Sequence, residues 1–98
     1  MRRFESARRL KDMSDKNKSY FVYILKSEKD QKRYIGSTNN LRRRFAEHNR
    51  GTVKSTKFRR PMKLVYDEQF QTQKEAEDRE KYFKTGRGRQ YIKEVLQL

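Results

Sequence analysis

The longest uninterrupted apolar stretch of the chain is Tyr20-Phe21-Val22-Tyr23-Ile24-Leu25, rich in β-branched and aromatic side chains. A run of this kind, without polar alternation, predicts a strand buried on both faces. The polar stretch Ser27-Glu28-Lys29-Asp30-Gln31-Lys32 separates it from a second short run, Arg33-Tyr34-Ile35-Gly36. Together they predict a β-hairpin with a longer loop, because no Asn-Gly or Asp-Gly turn lies between them. Thr38-Asn39-Asn40 offers N-caps for a first helix over Leu41–His48, and Asn49-Arg50-Gly51 supplies its stop. From Thr52 to Pro61 the chain is basic and irregular, with Phe58 set among Lys54, Lys57, Arg59 and Arg60. Met62-Lys63-Leu64-Val65-Tyr66 predicts a third strand that continues to Phe70. Thr72-x-x-Glu75 is a capping box opening a second helix that runs to about Lys84. Gly86-Arg87-Gly88 is expected to break it, leaving Tyr91–Leu96 as a closing helix. No internal repeat is present, and the expected order is β-β-α-β-α-α.

Helical periodicity distinguishes residues that the bare charge count treats alike. At about 100° per residue, Leu41, Phe45 and His48 share one stripe of the first helix. Arg44 lies on the border of that stripe, about 60° from Leu41, while Arg43 points almost directly away. Arg44 therefore leaves the helix at the core rim, either as a snorkelling side chain or as a guanidinium held by its neighbours. On the second helix Ala76 and Phe83 define the apolar face, and Glu80 projects within about 40° of Ala76 on that same face. Glu77, Asp78 and Lys81 take the outer side. A carboxylate among apolar neighbours must be paired, protonated or bound to a cation. Periodicity leaves open a salt bridge to Arg79, Arg44 or a lysine, or a hard-cation site of the Mg²⁺ kind.

Composition bounds what this order can do. The 98 residues carry 27 Lys plus Arg against 13 Asp plus Glu, a net charge of +14. Only 32% are hydrophobic and 41% are charged, which suits one small domain whose 12% aromatic content must supply much of the core. With no cysteine and a single histidine, disulfide frameworks, thiolate nucleophiles, Cys-ligated metals and His clusters are excluded. No stretch approaches the roughly 18 apolar residues of a membrane span, and no signal-peptide apolar region follows the basic start. The expectation is an intracellular, cytoplasmic or nucleoid-associated protein. Residues 1–19 hold seven basic and three acidic side chains and few apolar ones, so they are expected to form a flexible basic arm. Within it, Met13 reads well as a natural start. Residues 20–98 still carry +10 and form the expected domain. Such a surplus on a folded unit suits a polyanionic partner.

Four blocks together are more specific than any one of them. Phe21-Val22-Tyr23, ten intervening residues, and Tyr34-Ile35-Gly36 resemble the two-part signature of the GIY-YIG nuclease superfamily, with Phe21 in place of the first glycine. The segment from Ser37 to Gly51, where Arg44 precedes His48 by four positions, resembles the next block of that family. Arg79-Glu80-Lys81 resembles its acidic, metal-binding block. The similarity covers roughly residues 20–90. It implies an α/β (α+β) fold with a small three-stranded antiparallel sheet flanked by helices, and divalent-metal-dependent cleavage of nucleic acid. Carried over by position, it implies catalytic roles for Tyr23, Tyr34, Arg44, His48 and Glu80, with Glu80 as the ligand of Mg²⁺ or Mn²⁺ and Gly36 on the signature glycine.

These residue types suit phosphodiester hydrolysis. A fixed guanidinium at Arg44 can meet charge on the nonbridging oxygens, and a metal on Glu80 can stabilise the leaving oxygen. A tyrosine hydroxyl or His48 can take a proton from the attacking water. Tyr23 is expected as base or water-positioner with Tyr34 orienting the phosphate, or the two exchanged. Gly36 allows close backbone approach, and Arg42, Arg43, Lys54, Lys57, Arg59, Arg60, Arg87 and Arg89 are expected to contact flanking phosphates. Such contacts position a nucleic acid without reading its sequence. Nothing resembles a recognition helix, a zinc finger or an RNA-binding aromatic platform. The expected function is a DNA endonuclease, DNA being favoured over RNA, guided by shape or by a protein partner. The alternatives are a non-catalytic nucleic-acid-binding module of the same fold and a small RNA-associated basic protein.

Overall fold

The computed structural model describes residues 19–98, so the expected basic arm lies, apart from Ser19, outside the described residues. Three strands, β1 (Tyr20–Ser27), β2 (Arg33–Thr38) and β3 (Met62–Phe70), form one antiparallel sheet in the order β2-β1-β3. Helix α1 (Leu41–Arg50) follows the hairpin, and α2 (Gln73–Phe83) and α3 (Gly86–Glu94) follow β3. This is the expected β-β-α-β-α-α order and an α+β fold. Among the described residues no helix is long and apolar enough to cross a membrane.

The dense apolar run becomes the central strand, which explains its lack of alternation. Phe21, Tyr23 and Leu25 face one side with Leu41, Met62 and Leu64, against which Tyr34 and Phe45 also pack. Val22 and Ile24 face the other side with Val65, Ala76, Phe83 and Ile92. None of residues 21–25 is more than 2% exposed. Each such side chain contributes about 1.5–3 kcal/mol of burial, so this strand organises both cores. On β3 the register shifts: Tyr66 pairs with Ile24 and Leu64 with Leu25, leaving Val65 as an extra residue. The bulge lets Val65 and Tyr66 both serve the second core while Leu64 serves the first.

Local signals account for most boundaries. The Asn40 side chain caps α1 by accepting from the Arg43 amide at 3.0 Å, and Gly51 ends it. The Thr72–Glu75 capping box is present in both directions, each bond 3.2 Å long. The third helix differs from expectation, because Gly86, Arg87 and Gly88 are its first turn rather than a break. Thr85 caps it by accepting from the Gly88 amide at 3.0 Å. Gly88 is needed for packing, since a Cβ there would overlap the Tyr82 carbonyl and lie 2.6 Å from the Phe83 Cα. Close contact between α2 and α3 thus overrides the poor helix propensity of the glycines.

The irregular segment between α1 and β3 is stitched down at several points. The Asn49 amide makes both bonds of a strand partner with Met62, Nδ2 to the carbonyl at 3.0 Å and Oδ1 from the amide at 2.8 Å. Ser27 donates to the Arg59 carbonyl at 2.6 Å. Arg59 in turn reaches Asp30 Oδ2 at 3.1 Å and the Lys32 and Arg33 carbonyls at 2.9 and 3.3 Å. The short 3₁₀ turn Lys57–Arg59 is therefore clamped onto the β1–β2 hairpin.

Candidate active site

Tyr23 on β1 pairs in register with Gly36 on β2. A Cβ at position 36 would lie 2.5 Å from the Tyr23 hydroxyl oxygen, so the missing side chain makes room for that ring. Gly36 is buried inside the strand, which runs on to Thr38, rather than at its end. The Tyr23 hydroxyl lies 2.9 Å from His48 Nε2, and His48 Nδ1 lies 2.8 Å from Thr56 Oγ1. His48 and Thr56 are both fully buried. Tyr34 closes over the imidazole with ring centroids 4.9 Å apart and an interplanar angle of 62°. Its centroid is 6.4 Å from that of Tyr23.

Arg44 sits at the rim, half-exposed, with Nη1 donating to Glu47 Oε1 at 2.9 Å. That carboxylate holds the guanidinium charged, and the guanidinium holds Glu47 below the usual carboxylate range. Burial pushes the Tyr23 hydroxyl well above the usual tyrosine range, opposed by a side-chain hydrogen bond with Arg44. Burial, helped by the charge of Arg44, pushes His48 down from 6.5 to about 4. At neutral pH the imidazole is therefore uncharged, and the proton rests on the tyrosine.

Glu80 approaches from the opposite layer. Ser37 on β2 donates to its Oε1 at 2.6 Å and Lys84 Nζ to its Oε2 at 2.7 Å. Of the partners left open by periodicity, the carboxylate takes a lysine one turn onward. Arg79 is committed elsewhere, to Glu68 at 2.9 and 3.1 Å and to the Tyr82, Phe83 and Tyr91 rings. The charge of Glu80 also raises the Tyr23 pKa, so both belong to one electrostatic neighbourhood. The structure thus brings Tyr23, Tyr34, Arg44 and His48 together on the α1 face of the sheet, while Glu80 reaches the edge strand β2 from the other layer through Ser37. Among the described residues no group of three or more His, Asp or Glu side chains could hold a metal ion. The donor set at Glu80, one carboxylate beside one hydroxyl, fits a hard cation that keeps most of its waters.

The residues expected to meet phosphate divide into two groups. Arg42, Arg43, Lys54, Lys57, Arg60, Arg87 and Arg89 are exposed. Arg59 and Gly36 have internal tasks, the first as the hairpin clamp and the second as space for Tyr23. Sequence reasoning passed over Ser37, Glu47, Thr56 and Lys84, the side chains that hold the site residues. It also passed over an open groove of about 770 Å³ that runs past Tyr34. The groove is lined by Lys26, Lys32, Arg33, Lys84, Arg89 and Lys93, with no acidic residue along it.

A small antiparallel sheet presenting paired tyrosines beside an arginine and a glutamate defines a class, and the comparison with known families agrees. Residues 19–92 match the GIY-YIG catalytic domain, and the chain belongs to the GIY-YIG family, a nuclease superfamily acting on nucleic acid. More particularly, it is similar to small GIY-YIG proteins designated UPF0213. It is 51% identical to one from Clostridium perfringens over 65 residues, covering 65% of this chain and 69% of the relative. It is 45% identical to YazA of Bacillus subtilis over 67 residues, 67% of each chain. A relative from Staphylococcus haemolyticus is 44% identical over 77 residues, 78% of this chain and 93% of that one. No solved structure matches the chain.

Proposed function

We propose that this protein is a metal-dependent endonuclease that hydrolyses phosphodiester bonds in DNA, directed by nucleic-acid structure rather than sequence. The observation that carries this reading is the cluster of Tyr23, Tyr34, Arg44 and His48 on one face of the sheet, with Glu80 reaching strand β2 from the other layer through Ser37. Two of them, Tyr23 and His48, are buried polar groups bonded to each other at 2.9 Å. A merely structural core would fill those positions more simply with apolar side chains.

Glu80 would hold Mg²⁺ or Mn²⁺ with the Ser37 hydroxyl alongside, Lys84 moving off the carboxylate. When bound, the ion supplies Lewis-acid stabilisation of negative charge on the leaving oxygen. Arg44, kept charged by Glu47, meets the nonbridging oxygens of the attacked phosphate. Tyr34, half-buried at the mouth of the basic groove, orients that phosphate. With the imidazole proton on Nδ1 and directed at Thr56 Oγ1, Nε2 is the acceptor for the Tyr23 hydroxyl, the tautomer this mechanism requires. Passing its proton to Nε2 leaves the Tyr23 oxygen able to accept one from the attacking water. Burial opposes that ionisation and the guanidinium of Arg44 favours it.

The groove cations and the exposed residues Arg42, Arg43, Lys54, Lys57, Arg60, Arg87 and Arg89 hold flanking phosphates, which gives strongly salt-dependent binding without base readout. Such a domain suits DNA repair or recombination in the cytoplasm, with a protein partner contributing substrate choice. One observation favours a non-catalytic binding module instead: Lys84 already neutralises Glu80. Cleavage of labelled linear, nicked and branched DNA, and of matching RNA, with Mg²⁺ or Mn²⁺ separates the readings. Arg44→Ala and Glu80→Ala should abolish cutting and retain most binding. A wild-type protein that binds these substrates and cuts none with either metal is a binding module.

A further inference from the structure

Phe58 is the most exposed large hydrophobic residue among the described ones, at 77%. The turn beneath it is unusually well fastened for a residue left in water. Ser27 holds the Arg59 carbonyl, Arg59 grips the hairpin, and Lys29 Nζ donates to the Phe58 carbonyl at 3.3 Å. Arg60 Nε donates to the Lys57 carbonyl at 2.8 Å, closing the turn on the other side. The ring is thus presented on a rigid support, with little conformational freedom left to lose on binding. Lys57 Nζ lies 5.3 Å from its centroid. A cleft of about 480 Å³ beside it is lined by Lys29, Lys57, Arg60, Asn49 and Pro61, with no acidic residue.

An exposed aromatic ring ringed by cations is complementary to a nucleobase with its phosphate, because every base offers a π-face and every nucleotide a negative charge. Its place relative to the site is fixed as well. Thr56, which immediately precedes the turn and lies two residues before Phe58, is the partner of His48 at 2.8 Å. We propose that Phe58 stacks on an unpaired or unstacked base flanking the cleaved phosphodiester, while Lys29, Lys57 and Arg60 hold the adjoining phosphates. This inference rests on the nucleic-acid reading above and names what that reading lacks, the structural feature by which a substrate is chosen. A fully paired duplex hides its base faces, whereas a flap, a mismatch or a single-stranded branch offers one. A single ring selects an unpaired base without identifying it, unlike a multi-base platform.

The chain contains no tryptophan, so Phe58→Trp adds a unique fluorophore at the proposed contact. Binding is measured without metal, which separates it from catalysis. A single-stranded or flapped oligonucleotide should quench the emission of Phe58→Trp strongly, and a blunt duplex of equal length should leave it nearly unchanged. Phe58→Ala should weaken binding of the flapped oligonucleotide about tenfold and of the blunt duplex less than twofold. Equal losses on both substrates, or unquenched emission while binding persists, overturns the stacking role and leaves the nucleic-acid reading standing. A Phe58→Ala protein with unaltered nucleic-acid affinity but a changed oligomeric state assigns the ring to a protein contact and overturns it too. Absence of binding to any nucleic acid overturns both.

Discussion

The two faces of the sheet are built from the same strand and put to different uses. Beneath α2 and α3 the core is Val22, Ile24, Val65, Ala76, Phe83 and Ile92, with Tyr66 and Tyr91 at its margin. Beneath α1 the strand supplies Phe21, Tyr23 and Leu25, and buried among their neighbours runs the polar line Tyr23–His48–Thr56. The first face gains its free energy mainly from apolar burial, with the Arg79–Glu68 pair at its margin. The second gives up part of that gain to hold a tyrosine and an imidazole dry, uncharged and mutually bonded. On the proposed reading stability and chemistry are separated by the thickness of one strand, and the edge strand β2 is where they meet through Ser37 and Glu80.

Substitutions on the two faces should therefore have different signatures. Phe83→Ala, at a fully buried position, should cost about 3–5 kcal/mol in urea unfolding, enough to threaten the fold. Tyr23→Phe removes one hydroxyl from the other face and should cost only about 1 kcal/mol, while cleavage falls at least a hundredfold. A Tyr23→Phe protein that cuts normally would remove the chemical half of the contrast. Gly36→Ala should combine both signatures, costing about 1–3 kcal/mol because the new methyl group displaces the Tyr23 ring, with activity lost alongside.

Smaller effects sharpen the comparison through pH and metal. His48 is held neutral in the fold, at about 4 against 6.5 when free, so between those values the unfolded chain binds more protons than the folded one. Its contribution is complete above pH 6.5 and is lost as the pH falls toward 4. As the chain has a single histidine, its ring proton resonances should stay at neutral positions at pH 5.5 and move only near 4. A midpoint near 6.5 would mean that the polar line is solvated. The smallest effect is at Lys84, whose ion pair with Glu80 is 52% exposed on the lysine side and therefore weak. Lys84→Ala should tighten Mn²⁺ binding a fewfold, read by electron paramagnetic resonance of the free ion.

Much of this division is legible along the chain. The unbroken run from Tyr20 to Leu25 identifies a strand with two buried faces, and Thr72 with Glu75 marks the start of α2, because both patterns are local. Periodicity likewise places Arg44 at the rim and Glu80 on an inward face. What holds those groups is not legible. Ser37 and Glu80 are 43 residues apart, Tyr23 and His48 are 25 apart, and a serine or threonine in a turn carries no periodic signal of its partner. The glycines of α3 mislead for a related reason, since Gly88 answers to the backbone of α2 rather than to its own helix. Arg59 reads as one more phosphate contact within a run of cations, and only the neighbouring hairpin turns it into a clamp.

The two bonds between Asn49 and Met62 bear on how such a protein changes over generations. They bring the ends of the intervening segment together, and Val53, Thr56 and Arg59 fasten it in between, so the sheet and α1 do not rely on the tip of the turn. Beyond Thr56 and the grip of Arg59, that segment is free to alter its tip without reopening the fold. If Phe58 stacks on substrate as proposed, preference can then drift by replacing a single ring and its cations, while the proposed catalytic side chains stay in place. Exchanging residues 57, 58 and 60 between relatives, with Arg59 kept, should move cleavage preference with them and leave the melting temperature nearly unchanged.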